Sequence, residues 1–166
     1  MPAMWWLVGV VATVVLVATY LTWVAARVDR LHHRVAAAYS ALDAQLARRA
    51  AAAVALADGD LSLGNGAAAL RDVAREALRP VDEGRELAEN QLTRALRELP
   101  VAAAEGGVAA ELVSASRRVA LARQVHTDLV RETLAARRRP VVRLLGLDRR
   151  HARPRYFDIE DPVLDG

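Results

Sequence analysis

The chain has 166 residues and a formal net charge of +3, from 23 basic residues, all of them arginine, against 20 acids, with no cysteine. The missing cysteines exclude disulfides, thiolate metal sites and a cysteine nucleophile. The length leaves one modest domain once any membrane segment is set aside. Arginine occurs along every segment of an Ala-, Val- and Leu-rich chain. This spread reads as the coding bias of a GC-rich bacterial genome, so the high pI is not by itself a nucleic-acid signature.

The first charged side chain is Arg27. A helix from Trp5 to Ala26 rises ~33 Å, enough for a hydrocarbon core of roughly 30 Å. Trp5 and Trp6 lie at one end of this stretch, with Tyr20 and Trp23 at the other, and such rings favour the headgroup level. Residues 1–26 are therefore expected to be a transmembrane anchor. A cleaved secretory signal is the competing reading, since Val24-Ala25-Ala26 offers small residues to a peptidase. No basic region precedes the apolar run, however, the run is longer than a usual signal core, and bulky Trp23 flanks the would-be cleavage site. Arg27, Arg30 and Arg34 follow the span against the single acid Asp29. By the positive-inside rule, the expected topology is N-out in the cell membrane, with the remainder in the cytosol. The bilayer is thus the first expected partner, and Trp5, Trp6, Tyr20, Trp23, Arg27 and Arg30 are the expected interface residues.

Beyond the span, three segments of helical character are separated by two glycine-bearing breaks. Over Arg27 to Ala57, Val28, Leu31, Val35, Ala38, Leu42 and Leu46 follow the three-and-four spacing of one helix face, continuing the transmembrane helix. Turn formers from Asp58 to Gly66 end it. Over Ala67 to Leu99, Pro80 should kink or break the segment, with a restart at Val81 or Asp82. There the pattern predicts Leu87, Leu92, Leu96 and Leu99 facing inward, and Glu83, Glu86, Glu89, Arg94 and Arg97 outward, up to a stop at Pro100. After Gly106-Gly107, the stretch from Val108 to about Arg139 carries Leu112, Ala115, Val119, Ala122, His126 and Leu129, and Pro140 closes it. The segments span 31, 33 and 32 residues. The expected fold is all-α: a transmembrane helix continuing into an elongated antiparallel up-down-up bundle over 27–139, with residues 140–166 packed on its end.

Three stretches carry a family resemblance. The first is Val35, Ala38 and Leu42-Asp43-Ala44-Gln45-Leu46-Ala47-Arg48-Arg49. The second is Arg118 to Glu132, reading Arg-Val-Ala-Leu-Ala-Arg-Gln-Val-His-Thr-Asp-Leu-Val-Arg-Glu. The third is the closing Pro154-Arg155-Tyr156-Phe157-Asp158-Ile159-Glu160. Together they resemble the LemA family, bacterial proteins with one N-terminal membrane helix and a bundle of long antiparallel helices. Two places depart from the family pattern: Ala50 to Ala57 replaces a stretch with proline and asparagine, and His126-Thr127 replaces a tyrosine-asparagine pair. The resemblance implies the same architecture and supplies no reaction.

Asp43, Gln45, Arg48 and Arg49 form a polar group that either docks a partner or specifies helix register, or else is a solvated face with weak intrahelical pairing. His126 in an apolar series is read as a packed or boundary histidine in a tyrosine-like site, the other reading being a pH sensor or ligand. His32-His33 follows the membrane exit, but adjacent helical side chains diverge by about 100° and chelate poorly. Glu83, Glu86 and Glu89 step at i, i+3, but no histidine stands three residues after a glutamate, as carboxylate-bridged metal bundles require. No metal or cofactor is expected.

From Arg137 to Arg155 eight arginines meet the single acid Asp148, and the tail from Tyr156 to Gly166 carries −4. Beside a membrane such a cluster suggests anionic lipid. An up-down-up bundle places it instead at the far tip, ~45 Å from the host bilayer and beyond electrostatic reach. The arginines, Arg137, Arg138 and Arg139 foremost, are then expected to meet the acidic tail, a protein partner or nucleic acid. The interspersed Val141, Val142, Leu144, Leu145 and Leu147 fit a packed clamp or a peptide-docking surface better than an open nucleic-acid groove. There is no Ser-x-x-Lys, glycine-rich phosphate loop or His-Glu-x-x-His, and no catalytic activity is expected. The sequence therefore reads as a single-pass membrane protein presenting a helical interaction or scaffold module, with a protein partner or self-association. Polyanion or nucleic-acid binding through the arginine-rich segment is the alternative.

Overall fold

The computed structural model describes residues 2–59, 63–79, 84–99, 107–149 and 151–164, the side chains of 2, 3, 65 and 148 excepted. The fold is all-α, with no strand among the described residues: α1 (Pro2–Gly59), α2 (Asn65–Ala77), α3 (Arg85–Glu98), α4 (Gly107–Arg137) and α5 (Pro140–Leu144), followed by a single 3-10 turn, Leu147–Arg149. The expected turn at Asp60 to Ser62, the break at Pro80 with its restart at Val81 or Asp82, Glu83, and the stop from Pro100 to Gly106 lie outside the described residues.

The chain forms two compact units, Met1–Ala36 with Leu129–Arg155, and Ala37–Asp128 with Tyr156–Gly166. In the first, every side chain of α1 from Met4 to Tyr20 is exposed. From there only one stripe is covered, at Val24, Val28, Leu31 and Val35, whose spacings of four, three and four keep them on one helix face. Val24 and Val28 form a cluster with Val142, joined by Val141 and Leu147. Pro140 does not merely close the preceding helix. Its ring fits the first turn of a helix, where no amide partner is needed, and it opens α5.

In the second unit the stripe of α1 continues through Leu42, Leu46, Ala50, Ala53 and Leu56, and it packs on Leu70, Ala74, Leu92, Leu96, Leu112 and Val119 of the other helices. Leu42 and Leu46 meet Val119, whereas Ala53 and Leu56 share a cluster with Ala109 and Leu112, so α4 runs antiparallel to this part of α1. The middle segment is two helices, α2 and α3, packed on one another. Gly84 precedes α3 with φ +99°, a conformation that disfavours any Cβ.

The face of α3 differs from the expected one. Leu92 and Leu96 are buried, but Leu87 is 60% exposed and Glu89 fully buried. Five residues separate Leu87 from Leu92, which turns it about 140° off the stripe. The inward set is Arg85, Ala88, Glu89, Leu92, Thr93 and Leu96, the true three-and-four series, and it carries polar side chains into the core. In the tail, Phe157, Ile159 and Leu164 are buried. Glu160 takes Arg94 at 2.7 Å and Arg97 at 3.3 Å.

Candidate functional site

Two polar assemblies stand out, one in each unit. The first surrounds the place where α1 changes from fully exposed to striped. Here the end of α4 and α5 return to the beginning of the charged part of α1. Arg137 Nη1 donates to His32 Nε2 at 3.1 Å and to the carbonyl of His151 at 3.0 Å. A guanidinium only donates, so His32 Nε2 is the acceptor and its Nδ1 carries the proton that reaches the Val28 carbonyl at 3.0 Å. Burial holds the His32 pKa below its ordinary value, partly opposed by that backbone bond. His151 stacks on His32 with ring centroids 4.4 Å apart and reaches Asp29 Oδ1 at 2.8 Å.

These contacts overturn the expectation that the arginine-rich segment ends at the far tip of the bundle. The cause is the chain reversal that lays α4 antiparallel to α1: position 137 returns to position 32. The expected interface residues share the neighbourhood. Tyr20, Trp23 and Arg27 line a groove of about 170 Å³ together with Arg139, Pro140 and Val141. The Arg27 guanidinium lies 5.7 Å from the Trp23 ring centroid, within cation–π range, and Tyr20 stacks near Trp23 at 6.4 Å. Trp5, Trp6 and Arg30 are exposed elsewhere along α1, as are Arg138 beyond α4 and Arg143 on α5. His33 is exposed while His32 turns inward. Among the described residues no group of three His, Asp or Glu is placed to hold a metal ion.

The second assembly lies in the core of the other unit. Arg49 is fully buried, so the solvated-face reading fails for this member of the polar group. Its Nη2 donates to Thr93 Oγ1 at 2.9 Å, and its Nη1 lies 3.6 Å from Glu89. Arg85 approaches the other Glu89 oxygen at 3.6 Å and Asp43 at 3.0 Å. Burial pushes the Glu89 carboxyl up to about 7, against the pull of Arg49 and Arg85. Asp43 and Arg48 face outward, and Gln45 is half-buried. Sequence reasoning missed Arg85, Glu89 and Thr93. Their signal was a polar series at successive i, i+4 steps, in register with Leu92 and Leu96. His126 is buried, as the packed reading requires, with its ring 5.8 Å from Tyr39 and its pKa lowered by burial.

The core assembly is closed over at Arg49, Glu89 and Thr93 and reaches solvent only through Asp43, a placement suited to fixing helix register. The groove assembly is open and couples aromatic, apolar and cationic groups. No protein-family model, curated protein or solved structure matches the chain.

Proposed function

We propose that this chain is a single-pass membrane protein that presents a helical interaction module to the cytosol, in keeping with its resemblance to the LemA family. One observation carries the reading: α1 is apolar and exposed on every face from Met4 to Tyr20, then keeps only the Val24, Val28, Leu31 and Val35 stripe covered. A helix apolar all round needs an apolar surround, and the most apolar window of this one has a mean hydropathy of 2.2. Arg27, Arg30 and Arg34 beyond the span favour a cytosolic C-terminal side. The arginines gathered near them by the return of α4 add to that bias. Leu121 and Val125, one turn apart on α4 and 63% and 49% exposed, offer an apolar face for a protein partner or a second copy.

Labelling of intact cells with an impermeant maleimide tests the topology, because the native chain has no cysteine. The variant Ala3→Cys should label and Gln124→Cys should not. The reverse pattern would place the module outside the cytosol. Photo-crosslinking from Leu121 should then give one discrete adduct, and an unchanged monomer would remove that face as the interaction surface.

A further inference from the structure

We propose that Arg138, Arg139 and Arg143, with Leu144 of α5, form a second, peripheral contact with anionic phospholipid beside the membrane-spanning helix. The inference rests on the anchor reading above and names a ligand for the segment that follows α4. Three observations converge. Arg139, Pro140 and Val141 line the same groove as Tyr20, Trp23 and Arg27, which sets the arginine at the depth where the tryptophan and tyrosine rings meet the headgroups. The valines of α5 hold it there: Val142 is buried against Val24 and Val28. Leu144 nevertheless leaves 88% of its surface open, while Arg138, Arg139 and Arg143 are exposed. Leu145 is exposed beside Leu144, so a small apolar patch stands out among the arginines. It suits a headgroup layer, where the guanidiniums take phosphates and the leucine enters the acyl boundary. The segment from Arg137 to Arg155 carries eight arginines and one acid, a sign complementary to an anionic leaflet. The Arg137 side chain ties the segment to the His32 ring and to the carbonyl of His151, so little chain entropy is lost when the surface engages.

The test uses the full-length chain with Leu144→Cys labelled by an environment-sensitive nitrobenzoxadiazole dye, reconstituted into floated vesicles. In phosphatidylcholine with phosphatidylglycerol the emission should brighten and shift to the blue. In phosphatidylcholine alone the brightening and shift should be clearly smaller, because the guanidiniums find no anionic headgroup to draw the segment inward. Molar sodium chloride should reverse the shift, since the screening length shrinks to about 3 Å. In the variant Arg138→Gln/Arg139→Gln/Arg143→Gln the response should be lost, each arginine contributing roughly fivefold to the contact. Equal emission in the two lipids overturns the proposal. So does the same blue shift produced by a DNA oligonucleotide on phosphatidylcholine vesicles, which would make the surface a general polyanion site. Failure to float with vesicles would sink the anchor reading itself, whereas flotation without a phosphatidylglycerol response sinks only this inference.

Discussion

Arginine serves opposite purposes in the two units. Arg49 has no exposed surface and sits between Glu89 and Thr93. Arg138, Arg139 and Arg143 are exposed, next to a leucine that is exposed as well. Removing a guanidinium from water is costly unless it is paired, so Arg49 is committed to one helix arrangement. The exposed arginines keep their hydration and can exchange it for a ligand. The same residue type is therefore locked among partners in the core and left open to solvent beside the apolar part of α1.

The largest expected effect breaks the buried side of this contrast. Arg49→Ala leaves buried Glu89 with Arg85 alone as its cationic partner, takes the donor from Thr93 and opens a cavity, and should lower stability by about 3–5 kcal/mol. Thermal unfolding followed by circular dichroism in a mild detergent would measure the loss. Replacing the pair together, as Arg49→Met with Glu89→Leu, should recover most of it or exceed the wild type, because an apolar pair of similar volume avoids the desolvation. If the double variant is as unstable as the single one, Arg49 contributes packing that no apolar side chain reproduces.

Acidity sharpens the same point. Glu89 titrates at about 7 in the fold, against an ordinary value of 4.5. Between those values the folded state binds more protons, so the Glu89 contribution is full below 4.5 and is lost as pH rises through about 7. His32 and His126, both lowered by burial, act oppositely: their contribution is present above 6.5 and fades as the solution is acidified. Comparing wild type with Glu89→Gln separates them, since the histidine effects cancel in the difference. The wild type should gain stability relative to this variant as pH falls from 7.5 to 5, by amounts on the order of 1 kcal/mol per pH unit. A difference that stays flat with pH would mean that Glu89 is ionised throughout.

The contrast was only half legible in the sequence. The stripe of α1 from Val28 to Leu46 could be read because its apolar residues alternate by three and four, and each except Ala38 is buried. The face of α3 could not, because hydrophobicity alone favours Leu87, whereas the helix phase selects Glu89. An assignment that treats charged residues as outward has no means of finding Arg49, Arg85 or Glu89, whose burial depends on partners from α1 and α3 together. The position of Arg137 failed for a topological reason. Segment lengths count helices but do not say which end of α4 returns to the apolar part of α1, and only the pairing of position 137 with position 32 decides it.

A smaller effect is expected at the tail. Glu160 accepts from Arg94 and Arg97, and its backbone N–H donates to Asn90 at 2.7 Å. The ion pairs are exposed, so Glu160→Gln should lower the Tm only slightly, and raised salt should remove the difference. A large, salt-resistant drop would mean that this carboxylate orders the Phe157 and Ile159 packing, as a buried acid would.

The smallest expected change in stability belongs to the exposed arginines and completes the contrast. Arg138→Gln/Arg139→Gln/Arg143→Gln should shift the stability of the detergent-solubilised chain by no more than about 0.5 kcal/mol per site, because these side chains have little desolvation to recover and no core to support. The same variant is the one expected to lose the phosphatidylglycerol response. A stability change near zero together with a lost lipid response would assign these residues to the surface they face. A loss comparable to that of Arg49→Ala would instead make them structural, and the difference between the two units would lie in the position of their arginines and not in what the arginines do.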